Sequence, residues 1–138
     1  DNTFAAIYAS HIVEHLDYKA ELINTLKEWN RVLEVGGKIY VSVPDMDTLA
    51  QLFLMKDKLD SIERFKIMRM MFGGHVDEYD YHVVGLNADF LGNYLHMSGF
   101  TNIHRVKNFD LFEDTSSLEY HGVPISLNMI AEKAAPST

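Results

Sequence analysis

The run Ser10-His11-Ile12-Val13-Glu14-His15 places a hydroxyl, two imidazoles and a carboxylate within six residues, directly after an uncharged apolar stretch. Histidine titrates near neutrality, so either ring can take up or hold a proton there. The plainer alternative is that Glu14 and His15 only pin a loop through hydrogen bonds to backbone. A second constellation, His75-Val76-Asp77-Glu78-Tyr79-Asp80-Tyr81-His82, packs two histidines, three acids and two tyrosines into eight residues. Read as function, it is a binding segment with His75, Asp77, Asp80, Tyr81 and His82 as ligand contacts, because long loops concentrate such residues. Read as a metal site, it offers His75, Asp77, Asp80 and His82, nitrogen and oxygen donors that suit zinc, manganese or iron. The spacing matches no established metal motif, so no metal ligands are assigned. A solvated acidic loop is the alternative. Upstream, Arg64 and Arg69 can pair a carboxylate or phosphate on a ligand, or bridge to Asp60, Glu63 or the 77–80 acids.

The elements that must position these groups can be read from period and punctuation. Residues 3–9 lack charge and suit a strand buried on both faces, as in a parallel sheet. Asp17 can cap a helix to about Leu33, with Leu22, Leu26, Trp29 and Leu33 on one face. Gly36-Gly37 reads as the helix stop, residues 38–43 as a strand ended by Pro44, and Asp47 as the cap of a helix over 48–56. A further helix over 61–72 closes at Gly73-Gly74, and 75–85 reads as a loop. Asn87 or Asp89 opens a helix to about Met97, ended by Gly99. Strands follow at 101–106 and 125–133. Residues 110–124 look irregular, Ser126 and Asn128 read as turn chemistry, and the tail 134–138 should fray. This order predicts an α/β fold with a right-handed parallel crossover first and an antiparallel extension last.

Bulk composition narrows the function classes. The chain has 138 residues, enough for one domain (1–138), and 47% of them are hydrophobic. The formal net charge of −8 argues against nucleic-acid binding and against docking on anionic lipid. Absence of cysteine removes disulfides, thiolate catalysis and Cys-based zinc sites. No apolar run reaches membrane-span length and no signal peptide is visible, so a cytoplasmic location is the expectation.

Three stretches carry a family resemblance: the Ser10–His15 run; Leu26-x-x-Trp29-x-Arg31-Val32-Leu33 with Gly36-Gly37; and Gly99-Phe100-Thr101-Asn102-Ile103. Together they resemble the C-terminal half of class I S-adenosylmethionine-dependent methyltransferases, of the broad methyltransferase type 11 group. The resemblance implies a partial Rossmann-like sheet (strands four to seven), mostly parallel with an antiparallel final strand. It implies S-adenosylmethionine as cofactor and a small-molecule acceptor. The loop leaving strand four lies beside both in this family, so Ser10 and His11 are implied as cofactor-binding residues, and His15, with His11, as the catalytic candidates. Arg64, Arg69 and the 75–82 loop are implied to face the acceptor. Ala5 departs from the aspartate that relatives often carry after the phenylalanine.

The family's Gly-rich loop after strand one and the acid ending strand two have no counterpart in this sequence. Gly36-Gly37 does not substitute, because it ends a helix instead of opening one. The chain is therefore expected to bind cofactor weakly. The unpaired edge of strand 3–9 is expected to make a homodimer or to take up a missing N-terminal half. Two other functions stay open at this level: a non-catalytic dimerisation or binding remnant, and a metal-dependent hydrolase built on residues 75–82.

Overall fold

A computed structural model describes residues 1–112 and 114–136; part of the expected irregular stretch (113) and the last two residues of the expected fraying tail lie outside them. Strand β1 (Phe4–Ser10) leads through a short 3-10 turn (Val13–His15) into helix α1 (Glu21–Val32) and strand β2 (Leu33–Pro44). Helices α2 (Met46–Phe53), α3 (Ser61–Phe72) and α4 (Ala88–Met97) precede β3 (Phe100–Val106). A minimal hairpin, β4 (Glu119–Tyr120) and β5 (Val123–Pro124), lies within the stretch read as irregular, and β6 (Ser126–Lys133) ends the fold.

The main sheet has the order β1-β2-β6-β3. Among the described strands β1–β2 is the one parallel pair; β6 pairs antiparallel with both β2 and β3. This corrects the expectation of mostly parallel pairing. The last strand does not extend the sheet beside β3 alone but inserts between β2 and β3, so both of its ladders are antiparallel. β1, β2 and β3 still run in one direction and β6 opposes them. The mixed α/β class stands.

The other corrections have local causes. Helix α1 starts at Glu21, not Asp17, because the Asp17 carboxylate accepts the backbone N–H of Lys19 and holds a turn (2.8 Å). It ends at Val32, before the glycines, because the start of the first strand takes its last carbonyls: Asn2 N–H to Arg31 O, and Thr3 N–H to Val32 O. Gly36-Gly37 therefore sits inside β2, at a register break against β1, with Gly36 at φ +80°. Asp45, not Asp47, is the first residue before α2. β1 is not buried on both faces: it is the sheet edge, its first three residues are exposed, and only Ala9 is buried. The Asn87 cap of α4 is as the sequence indicates; α3 opens on an Asp60–Glu63 capping box, a role the sequence reading did not give those acids.

The core lies on one sheet face. Leu22 and Leu26 of α1, Leu91 and Leu95 of α4, and Val13 from the 3-10 turn pack against Ile39, Val41, Val43, Leu127 and Met129. Each such aliphatic side chain contributes about 1.5–3 kcal/mol on burial. Val13 is the link to the site: burying it fixes the turn that aims Glu14 inward. A smaller core, Leu49, Leu52, Leu59, Ile67 and Ile125, joins α2 and α3 to the start of β6. Among the described residues no helix is long and apolar enough to cross a membrane.

Candidate functional site

β1 ends at Ser10, and His11 turns the chain with φ +55°, a left-handed conformation that is uncommon for a residue other than glycine. The His11 N–H is held by Ser42 O of β2 (2.7 Å), and the 3-10 turn follows. Strand end, strained residue and turn together place Glu14 in the interior, 2% exposed. Its backbone oxygen accepts the Val83 N–H (2.9 Å), which stitches the 81–83 segment onto the turn.

Three imidazoles surround the Glu14 carboxylate. His11 Nδ1 lies 3.4 Å from Oε2, His82 Nε2 at 3.8 Å and His15 Nε2 at 4.0 Å. The opposite ring nitrogens are all engaged outward. His15 Nδ1 donates to Tyr81 O (2.9 Å), and His82 Nδ1 donates to Met70 O (3.0 Å). The Ser126 hydroxyl gives its proton to Thr115 O, so it accepts from His11 Nε2 (2.9 Å). Neither Glu14 oxygen has a hydrogen-bond partner among the described residues. Burial pushes the His82 imidazole below its ordinary pKa; neighbouring Glu14 opposes this and His15 reinforces it. His11 and His15 also line a cavity of about 380 Å³ with Ile12, Tyr79, Tyr81 and Val83. A larger, mostly apolar cavity of about 460 Å³ lies on the other side of the 81–86 segment, between Tyr18, Val84, Leu86, Phe90 and Met97.

The structure brings His11, His15 and His82 together, with Ser10 at the neighbouring strand end. Tyr81 joins them, lining the same cavity as His11 and His15, but Arg64, Arg69, His75, Asp77 and Asp80 are not gathered there. The Arg64 guanidinium donates to Phe53 O (2.7 Å) and lies over the Phe53 ring, tying α3 to α2. Arg69 lines a shallow cavity with Lys66, Met70 and Gly74. In the 75–82 loop two of the three acids serve the backbone, Asp77 accepting the Tyr79 N–H and Asp80 the Val76 N–H, while Glu78 lines the cavity of His11 and His15. His75 donates to Phe72 O and stacks on Tyr81. Among the described residues the donors that come close enough together to hold a metal are Glu14, His15 and His82; of the four residues of the loop's metal reading, only His82 is among them.

Sequence reasoning undervalued two residues. Glu14 is the centre of the cluster, and its signal was the His-x-x-Glu-His spacing itself. Ser126 is not turn chemistry but the partner of His11, across 115 residues of chain. Asn128 does serve structure: its amide donates to Lys107 O and Ser116 O.

On the sheet face away from the main core, Tyr8 and Tyr40 pair across β1 and β2, and Phe109 meets both rings edge-on. The Tyr8 hydroxyl donates to Asp114 Oδ2 (2.6 Å). Burial and the Asp114 contact push the Tyr8 pKa up. For Asp114, burial works upward, but hydrogen bonds from Ser116 and Tyr8 outweigh it and hold the carboxyl below its ordinary range.

No family model matches the sequence, and no curated protein matches it. Solved structures do. A S-adenosylmethionine-dependent methyltransferase from Archaeoglobus fulgidus superposes with a TM-score of 0.57 at 18% identity, covering 96% of this chain and 61% of that one. Human N-acetylserotonin methyltransferase, solved with S-adenosylmethionine, gives 0.57 at 12% identity, covering 98% and 31%. A Bordetella parapertussis protein described as a "possible exported protein" gives 0.61 at 11%, covering 97% and 40%. The chain spans less than half the length of most of these structures. Their likeness establishes the fold: that of class I S-adenosylmethionine-dependent methyltransferases.

Proposed function

We propose that this chain is the acceptor-side portion of a S-adenosylmethionine-dependent methyltransferase for a small molecule, corresponding to strands four to seven of that sheet. The observation that supports this most is the join between fold and site. The parallel pair β1–β2 leads into a turn whose His11 and His15 meet His82 beside a cavity, the side of the sheet where the family resemblance puts the acceptor.

The residues present fit one side of the cofactor and not the other. Ser10 and His11, at the end of β1, are the residues that would face it. The sequence offers no glycine-rich strand-to-helix turn for its methionine part and no ribose-binding acid. On its own, the chain is proposed to hold the cofactor weakly. The exposed edge of β1, with Phe4 53% exposed, is where further strands of a complete sheet would add, or where a second copy would pair. A homodimer and association with an N-terminal half are the two forms of this proposal.

S-adenosylmethionine brings a methyl group that is already activated, so the protein's main task is alignment. The aromatic and aliphatic wall of the cavity (Ile12, Tyr79, Tyr81, Val83) seats an acceptor and limits water. For a hydroxyl acceptor, His15 is the candidate proton acceptor at Nε2, because Nδ1 is committed to Tyr81 O and fixes the tautomer. His11 is held in place by Ser126. Glu78, Tyr79 and Tyr81 of the 75–82 loop form the acceptor's outer boundary in this reading.

The second reading, a non-catalytic dimerisation or binding remnant, draws on the same free edge of β1. Calorimetric titration with S-adenosylhomocysteine separates the two, with light scattering to give the oligomer. Micromolar affinity supports a methyltransferase site in this chain or its dimer. No binding by a stable dimer assigns the chain to the binding-module reading.

A further inference from the structure

We infer that Glu14, His15 and His82 form a binding site for one divalent transition-metal ion, zinc being the best match to the donors. The inference rests on geometry, and an ion here would occupy the His15 Nε2 that the proposed methyl transfer uses as proton acceptor, so the two uses of His15 exclude each other. His15 and His82 each donate through Nδ1 to a backbone carbonyl, which turns Nε2 of each ring toward Glu14. His11 bonds Ser126 through Nε2 and turns Nδ1 toward the same carboxylate. Three ring nitrogens thus converge on one buried carboxylate that has no hydrogen-bond partner among the described residues. A cation shared by the carboxylate and the rings would satisfy the set.

Three further observations agree. The donor atoms of Glu14, His15 and His82 lie within 4.8 Å of one another. Tetrahedral zinc with bonds near 2.0–2.1 Å separates its ligand atoms by about 3.3 Å, so the 3.8 and 4.0 Å gaps to Glu14 close by roughly half an ångström each, and the gap between the two rings, within 4.8 Å, by at most about 1.5 Å. Glu14 is 2% exposed and both its oxygens are unpartnered, which native proteins rarely leave without an ion or water. The Nδ1–H to carbonyl bonds are the outer contacts that orient metal-binding imidazoles and fix their tautomer.

Two imidazoles and one carboxylate disfavour magnesium and calcium, which take oxygen ligands. Three protein donors leave a coordination position open, and the cavity beside His11 and His15 gives it access to water or a ligand oxygen.

The test uses the full chain stripped with a chelator and titrated with zinc against a chromophoric competitor, then with cobalt(II) to read its visible absorption. The expected result is one ion per chain at sub-micromolar affinity, with cobalt bands of low coordination number. His15→Ala and His82→Ala should each weaken binding by about 100-fold or more, since even changes outside the ligand set cost 10–100-fold. His104→Ala, on exposed β3, should leave it unchanged. His15 is partly exposed, so its variant should keep the wild-type circular dichroism in chelator. No binding, or binding that survives both His15→Ala and His82→Ala, overturns the site.

Discussion

Replacing Glu14 by glutamine should move stability in opposite directions with and without metal. In chelator, the buried wild-type carboxylate sits 3.4–4.0 Å from three ring nitrogens, and neither of its oxygens is hydrogen-bonded among the described residues. Glutamine keeps the shape, removes the buried charge, and supplies two N–H donors to those nitrogens. A new neutral hydrogen bond adds about 1 kcal/mol, and relief of an unsatisfied buried group adds about 1–3 kcal/mol. After allowing for overlap between the two effects, the variant should gain about 1–3 kcal/mol, raising the melting temperature by roughly 3–10 °C for a domain of this size. With zinc at a hundredfold over its dissociation constant, wild type should gain about 2.7 kcal/mol and the variant little. The gap then closes or inverts. Thermal or urea unfolding followed by circular dichroism near neutral pH, with chelator and with zinc, reads both signs. A loss of more than about 1 kcal/mol in chelator would refute the reasoning, because it would mean that a protonated imidazole already neutralises Glu14.

Gly73 takes φ +89°, and a β-carbon there would collide with Asp80 O, so Gly73→Ala should cost at least about 2 kcal/mol by urea unfolding. The same change should disturb the loop that delivers His82, whose N–H is held by Phe72 O. Asp45 is buried and accepts from Arg105 (2.9 Å) and Thr48 (2.8 Å), so Arg105→Met should cost about 1–2 kcal/mol, discounted because the arginine is half exposed. Adding Asp45→Asn should recover part of that loss in a double-mutant cycle. Asp114 is held below its ordinary carboxylate range, so the unfolded chain binds the extra proton as pH falls. Its contribution should be complete above about pH 4–5 and vanish as pH drops through the lowered folded value. Tyr8→Phe should flatten that acid limb and cost about 1 kcal/mol at pH 6, measured by urea unfolding from pH 6 to 3.

The sequence by itself determined the elements and the loops that carry chemistry. Charge-free residues 3–9, the Leu22/Leu26 stripe and the Asn87 cap are local signals, and local energetics settle them. The His-x-x-Glu-His run was legible for the same reason. What the sequence did not carry was pairing and direction. Nothing in residues 126–133 shows that this strand slots between β2 and β3, because a ladder is decided by which partners leave backbone groups free. Helix α1 stops at Val32 because N–H groups from residues 2 and 3, some thirty positions away, take its carbonyls. His82 leaves its own loop to meet Glu14 because the Val83–Glu14 backbone bond and the Met70 carbonyl fix its ring. The 75–82 run looked like the richer site by composition, yet two of its acids turned to their own backbone. Only tertiary structure could choose between them: a metal or catalytic cluster depends on where lone pairs converge, and convergence is set by long-range packing.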